Sequence, residues 1–244
     1  MKKAGLFVLM LCAAVAGFAA PVKGSPMKGN PMHEAVYSCD YERVRQLILD
    51  TDAATHWSWF SRDAQGLDQY SRTPVYNLYH CDSFEGVKIL NALIVMNENE
   101  KLGIEFNKVY DNYHSTPFHT FAEDGNLTMV KVFADKNFRK EMDDLLKRPD
   151  VNKYDMFLQP ALGKLPPADV NTKDRAGDTP ADSVSQRMQD NVTQQQLRNY
   201  TEILHIISEA GGKMTPPAVP SKFFTQSVKK GNAKITAAND SIGK

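Results

Sequence analysis

One short pattern of residues returns four times along this chain. It is clearest in STPFHTFAEDGNLTMVKVF at residues 115–133, and related stretches are NPMHEAVYSCDYERVRQLI at 30–48, RTPVYNLYHCDSFEGVKIL at 72–90 and DVNTKDRAGDTPADSV at 169–184. Each copy places a proline directly after a threonine or an asparagine. A polar oxygen before proline can cap a helix, and the missing proline N–H costs nothing in the first helical turn. The pattern therefore predicts four helix starts.

The apolar residues of the clearest copy indicate what these helices need. After Gly125, which breaks the chain between two short helices, Met129, Val130 and Phe133 follow at helical spacing. A stripe this narrow cannot bury itself in an isolated helix pair. The pairs must therefore stack on one another, and the sequence predicts an all-α protein built as a series of such pairs.

The repeated pattern resembles the ankyrin repeat, whose motif T-P-L-H-x-A opens a pair of short helices. The third copy matches best, with Thr116, Pro117, Phe118 and His119 in the four motif positions. The resemblance implies an ankyrin-repeat solenoid of about four to five helix-turn-helix units over residues 21–214. It also implies that the repeats are shaped by Thr73, Pro74, Thr116, Pro117, His119, Gly125, Gly177, Thr179 and Pro180.

The spacing of the copies exceeds the ~33 residues of a plain ankyrin unit. Pro31, Pro74 and Pro117 are 43 residues apart, and Pro180 follows 63 residues later. We therefore expect insertions between units that lie near 30–50, 72–96, 115–136 and 169–212.

The longest insertion is expected at residues 136–168. Its first part has apolar residues at the spacing of a short amphipathic helix, which Pro149 ends. Its second part, KYDMFLQPALGKLPP, is predicted to be an ordered loop without regular structure.

The two ends of the chain have a different character from the repeats. Lys2 and Lys3 precede an apolar run and a small-residue stretch, which predicts a secretory signal peptide over residues 1–20 and a periplasmic mature protein. The run is shorter than the ~20 apolar residues of a membrane span. Residues 215–244 are interpreted either as a basic tail or as a degenerate capping repeat.

The overall charge carries little information about a partner. Signal cleavage would remove two of the 29 basic residues and none of the 29 acidic residues, leaving a net charge of about −2. Nucleic acid is therefore not an expected partner.

Two cysteines of the mature chain, Cys39 and Cys81, occupy nearly equivalent repeat positions at the end of a first helix. An oxidising compartment permits them to pair. Stacked helices lie ~8–10 Å apart, however, and a disulfide needs Cα atoms within ~7 Å. The sequence therefore leaves two alternatives, a disulfide with local closing of that gap or two buried thiols.

Patterns for catalysis, cofactors or metals are missing from the sequence, which has no H-x-x-x-H or C-x-x-C spacing, phosphate loop or nucleophile elbow. His119 and His33 occupy the motif's histidine position, where the family's side chain ties down the turn before the helix. We therefore expect a non-enzyme without cofactor or metal. A competing interpretation is a hydrolase that uses His119 with Glu123.

The resemblance also implies a function, because ankyrin proteins bind partners with their hairpin tips, first helices and insertions. Exported ankyrin proteins of this size look like immunity or self-protection proteins that inhibit a secreted enzyme. The expected partner is a periplasmic protein such as a peptidoglycan hydrolase. The alternative role is an accessory that stabilises or delivers a periplasmic enzyme.

Interface anchors are enriched in aromatic residues. The candidate partner contacts, each of which has internal packing as its alternative, are Trp57, Trp59, Tyr110, Tyr113, Tyr154 and Phe157.

Overall fold

A computed structural model describes the chain over residues 30–61, 66–107, 111–152 and 155–215. Within these ranges the regular elements are α-helices and short 3-10 helices, and no strand is formed, which confirms the all-α prediction. The predicted signal peptide, Tyr110, Tyr154 and the segment beyond residue 215 lie outside the described residues.

Four helix pairs coincide with the four copies of the sequence pattern. In chain order they are α1 (Pro31–Tyr37) with α2 (Tyr41–Asp50), the 3-10 helix Pro74–His80 with α4 (Phe84–Glu100), α5 (Pro117–Glu123) with α6 (Leu127–Ala134), and α9 (Pro180–Arg187) with α10 (Gln194–Glu209). The helices between pairs are α3 (Ala53–Phe60), α7 (Lys136–Leu146) and α8 (Pro149–Asn152).

The four pairs stack into two layers. The first members, α1, the 3-10 helix, α5 and α9, pack side by side in chain order and form what we call the first layer. The second members, α2, α4, α6 and α10, form the second layer behind them. Apolar side chains fill the space between the layers, as where the rings of Phe121 and Phe133 meet edge to face with centroids 5.2 Å apart.

Local polar chemistry starts these helices as the sequence predicts, with one exception. The Asn30 side chain accepts a hydrogen bond of 3.0 Å from the Met32 N–H, and Thr179 and Asp182 cap each other reciprocally. Thr73, in contrast, makes no capping bond with its side chain, and the helix that follows it is a 3-10 helix. The tyrosine that replaces histidine in this copy, Tyr76, donates from its hydroxyl to the Ser115 carbonyl.

The long insertion covers the second layer and is anchored on α4. Asn91, fully buried on α4, donates to the carbonyls of Phe157 and Gln159 at 2.8 and 2.9 Å and accepts from the Ala161 N–H at 2.9 Å. The prediction of an amphipathic helix is confirmed by α7. The prediction of a loop without regular structure was wrong in part, because short apolar stretches there form the 3-10 helices Met156–Leu158 and Leu162–Lys164.

Cys39 and Cys81 form a disulfide with a Cα–Cα distance of 5.6 Å. Cys39 lies two residues beyond α1 in a left-handed conformation, with φ of +53°, and Cys81 directly follows the 3-10 helix. Both cysteines therefore lie beyond the ends of their helices, where the two backbones approach more closely than two stacked helices would.

Candidate protein-binding face

Three turns of the same construction precede the last three helices of the first layer. We call residues 68–72, 111–115 and 174–178 the tip turns. Each begins with an aspartate, and its carboxylate accepts hydrogen bonds from the backbone N–H groups two and four residues later at 2.8–3.0 Å. The fourth residue has positive φ in every case, +62° at Ser71, +59° at His114 and +89° at Gly177. These turns are therefore structural repeats of one another.

Backbone hydrogen bonds join the tip turns into a rim. The Asn112 N–H donates to the Tyr70 carbonyl at 2.9 Å, and the Arg175 N–H donates to the Tyr113 carbonyl at 2.7 Å. Tyr70 and Tyr113 occupy the same position of their turns and are 37 % and 52 % exposed. The rim thus presents two tyrosines on a backbone that is tied from one unit to the next.

The exposed surface of the first layer continues this rim, and we call the two together the inner face. At one end it carries an aromatic cluster of Tyr37, Tyr79 and His80. The His80 ring meets Tyr37 edge to face at 4.2 Å between centroids and lies 3.8 Å from Tyr79. Partial burial lowers the pKa of His80. Burial, with smaller contributions from Asp124 and Tyr37, raises the pKa of Tyr79 to about 12.

At the other end the inner face contains an acidic hollow of about 310 Å³. It is lined by Glu123, Asp174, Asp178, Ser183, Gln186, Arg187 and Asp190. Arg187 pairs with Glu123 at 2.7 Å and approaches Asp190 at 3.5 Å. Beside the hollow, partial burial and the neighbouring carboxylate of Glu123 raise the pKa of Asp124 to about 6.

His119 holds the start of α5 and is 2 % exposed. Its Nδ1 accepts from the Thr116 N–H at 3.2 Å and lies 2.9 Å from the Thr116 hydroxyl. Burial lowers its pKa, opposed by the nearby backbone of Asp178. Glu123, its partner in the hydrolase interpretation, instead pairs with Arg187. The structure therefore places these two side chains in separate interactions.

The equivalent residues of the other units also hold turns. His33 lies 3.0 Å from the Gly66 carbonyl through Nε2 and 2.9 Å from the Asn77 amide through Nδ1. Because the amide nitrogen donates, Nδ1 is the acceptor and Nε2 carries the proton. Asp182 accepts from the Thr179 N–H at 2.9 Å. A histidine or a carboxylate can therefore serve the same structural position.

The six aromatic candidates from the sequence fall into three groups. Trp57 is 45 % exposed and lines a separate groove with Leu102 and Ile104, whereas Tyr113 lies on the rim. Trp59 and Phe157, each 4 % exposed, are buried, so the prediction of partner contact was wrong for both. Trp59 packs on the His56 ring, and Phe157 is held against α4 through Asn91. Tyr110 and Tyr154 lie outside the described residues.

Several residues of the inner face were missed at the level of sequence. Tyr70 precedes Tyr113 by 43 residues, which equals the spacing of the first three prolines, so the repeat itself could have identified it. The acidic hollow has no comparable pattern, because its residues come from a tip turn and from both α5 and α9 with their flanks.

Comparison with known proteins found no match: no protein-family model matches the chain, and no curated protein matches it. In the part of the chain that the structure describes, no group of three or more histidine, cysteine, aspartate or glutamate side chains is placed to hold a metal ion. None of the helices in the described ranges combines the length and the apolar character that a membrane crossing requires.

Proposed function

We propose that this chain is an exported ankyrin-repeat module that binds another protein with its inner face. The observation that carries the proposal is the rim, in which three tip turns of identical construction are linked by backbone hydrogen bonds and present Tyr70 and Tyr113 to solvent. Turns of this kind before successive helix pairs support the ankyrin interpretation. Exposed tyrosines on rigid supports are suited to anchoring a protein interface.

The rigidity of the module supports binding more than catalysis. The rim is tied by Asn112 and Arg175, the first two pairs are joined by the disulfide, and the insertion is fixed on α4 by Asn91. A surface that is already ordered loses little conformational entropy when a partner binds. His119, the residue on which the hydrolase interpretation depends, is buried and used in holding α5.

We further propose that the partner is a periplasmic enzyme, with a peptidoglycan hydrolase as the leading candidate, and that binding inhibits it as an immunity or self-protection protein would. The module would act by covering the entrance to the enzyme's active site. The support for this step is the resemblance to exported ankyrin proteins, together with a broad and rigid inner face.

The test is a pull-down from a periplasmic extract with the mature chain, residues 21–244, in parallel with a Tyr70→Ala/Tyr113→Ala variant. We expect the mature chain to retain a cell-wall hydrolase and to suppress its release of dye from labelled peptidoglycan. The double variant should retain less of it. A retained enzyme that becomes more active or longer-lived would assign the accessory role instead. Failure to retain any protein would contradict the proposal.

A further inference from the structure

The acidic hollow holds more negative charge than its own residues neutralise. Of the described side chains that line it, four are carboxylates and Arg187 is the single cation. Arg187 already contacts Glu123 and Asp190. The remaining two carboxylates, Asp174 and Asp178, are held by backbone or amide donors, which orient a carboxylate but leave its charge in place.

A further carboxylate, Asp124, directly follows α5 beside the hollow, where the helix carbonyls disfavour negative charge. Burial is the largest cause of its raised pKa of about 6, and the carboxylate of Glu123 raises that pKa further, while Arg187 and Arg72 act in the opposite direction. A cation brought to this surface would therefore favour the charged form of Asp124.

The aromatic part of the inner face also suits cations. The guanidinium of Arg72 lies over the ring of Tyr70 on the rim at 5.2 Å, within the ~6 Å range of a cation–π contact. The aromatic cluster of Tyr37, Tyr79 and His80 offers further ring surface beside Asp124, which is near enough to influence Tyr79. Among the described residues, aromatic faces and carboxylates thus follow one another along the exposed side of the first layer.

We infer that the inner face recognises a lysine- and arginine-rich segment of a protein partner, whose cationic side chains enter the acidic hollow and stack on the aromatic cluster. This inference rests on the proposed binding function and specifies the chemistry of its partner. Charge complementarity excludes nucleic acid as the occupant, because phosphates would meet the same carboxylates. An enzyme that works on an anionic polymer would carry a basic surface of the required kind.

The direct test uses a fluorescent peptide of six residues in which arginine and glycine alternate. Its binding to the mature chain is measured by fluorescence anisotropy at low salt. We expect Asp178→Asn/Asp190→Asn in the hollow to weaken binding by about fivefold or more. The matched control, Asp144→Asn/Asp150→Asn, removes the same charge from α7 and α8 and should change affinity less than about twofold. Equal losses in both variants, or tighter binding of an alternating glutamate–glycine peptide, would overturn the inference.

A second measurement separates this inference from the proposed function. In the pull-down, Asp178→Asn/Asp190→Asn should release the partner at lower salt than the wild type does, because fewer charge contacts remain to be screened. If the Tyr70/Tyr113 variant loses the partner while the hollow variant retains it at every salt concentration, the binding function stands and the cationic partner is excluded. If neither the wild type nor any variant retains a protein, the proposed function fails. If the arginine peptide nevertheless binds the Asp178/Asp190 variant more weakly than the Asp144/Asp150 variant, the preference of the inner face for cations is still supported.

Discussion

The backbone N–H of Asn112 donates a 2.9 Å hydrogen bond to the carbonyl of Tyr70, and this bond joins two tip turns that are 43 residues apart in the chain. The same bond recurs between Arg175 and Tyr113. Because the exposed tyrosine of one turn supplies the acceptor for the next turn, the main chain and not a flexible side chain sets the spacing of the two tyrosines.

The disulfide is expected to be a large contributor to stability. Cys39 and Cys81 are separated by 42 positions, and the chain-entropy model gives about 4 kcal/mol for closing a loop of this length. A Cys39→Ser/Cys81→Ser variant should therefore unfold at a markedly lower urea concentration than the oxidised wild type. Reductant should shift the wild type to the same midpoint and leave the variant unmoved. Wild-type curves that coincide with and without reductant would contradict this prediction.

His119→Ala should lower stability by about 2 kcal/mol, because the Thr116 N–H loses its acceptor in a buried site. His119→Asp should recover part of the loss, since Asp182 performs the equivalent role at Thr179. His205→Ala, at an exposed position of α10, is the control and should change the thermal midpoint very little. A His119→Ala protein with an unchanged midpoint and a lost catalytic activity would support the hydrolase interpretation.

Asn91→Leu should detach the insertion from the second layer. The substitution removes the partners of three backbone groups at Phe157, Gln159 and Ala161, at a cost on the order of 3 kcal/mol or more. Limited proteolysis should then cleave within residues 155–165 faster than in the wild type. Asn137→Leu, on the exposed side of α7, provides the control. Equal cleavage rates in the two variants would show that Asn91 does not anchor the insertion.

The contribution of Asp124 to the free energy of unfolding should increase as the solution is acidified. Its folded pKa of about 6 lies above the ordinary value of 3.8, so the folded state binds this proton more tightly than the unfolded chain. Its contribution to the free energy of unfolding therefore rises as pH falls from about 6 to 4. Asp124→Asn should remove that rise, measured as the difference between the urea midpoints of wild type and variant across this range.

Other titrating groups also change the free energy of unfolding in this pH range, so the Asp124 experiment needs a comparison between variants and a control. Burial lowers the pKa values of His33 and His119, so these groups destabilise the fold as pH falls and only the difference between variants isolates Asp124. Asp144→Asn is the control, because the hydrogen bond and charge of Lys147 lower the pKa of Asp144 below its ordinary value of 3.8, so its contribution to stability should change little between pH 6 and 4. A difference that stays constant between pH 6 and 4 for Asp124→Asn would contradict the prediction.

The amino-acid sequence by itself determined the parts of this protein that depend on neighbours a few residues apart. Thr179 and Asp182, which are three residues apart, cap the start of α9 together. The apolar spacing in residues 136–146 identifies α7 without any other part of the chain. Repetition of the pattern also determined that the fold is a stack of helix pairs, because no single pair has enough apolar surface to be buried alone.

Only the tertiary structure decided which aromatic side chains face solvent and which charges meet. Phe157 is buried because Asn91, 66 residues earlier, holds its carbonyl against α4, and no local pattern around residue 157 encodes that contact. The acidic hollow likewise forms where residues near 123, 174 and 187 converge. Burial and electrostatic excess are sums over neighbours from distant parts of the chain, so they become defined when the layers pack and not before.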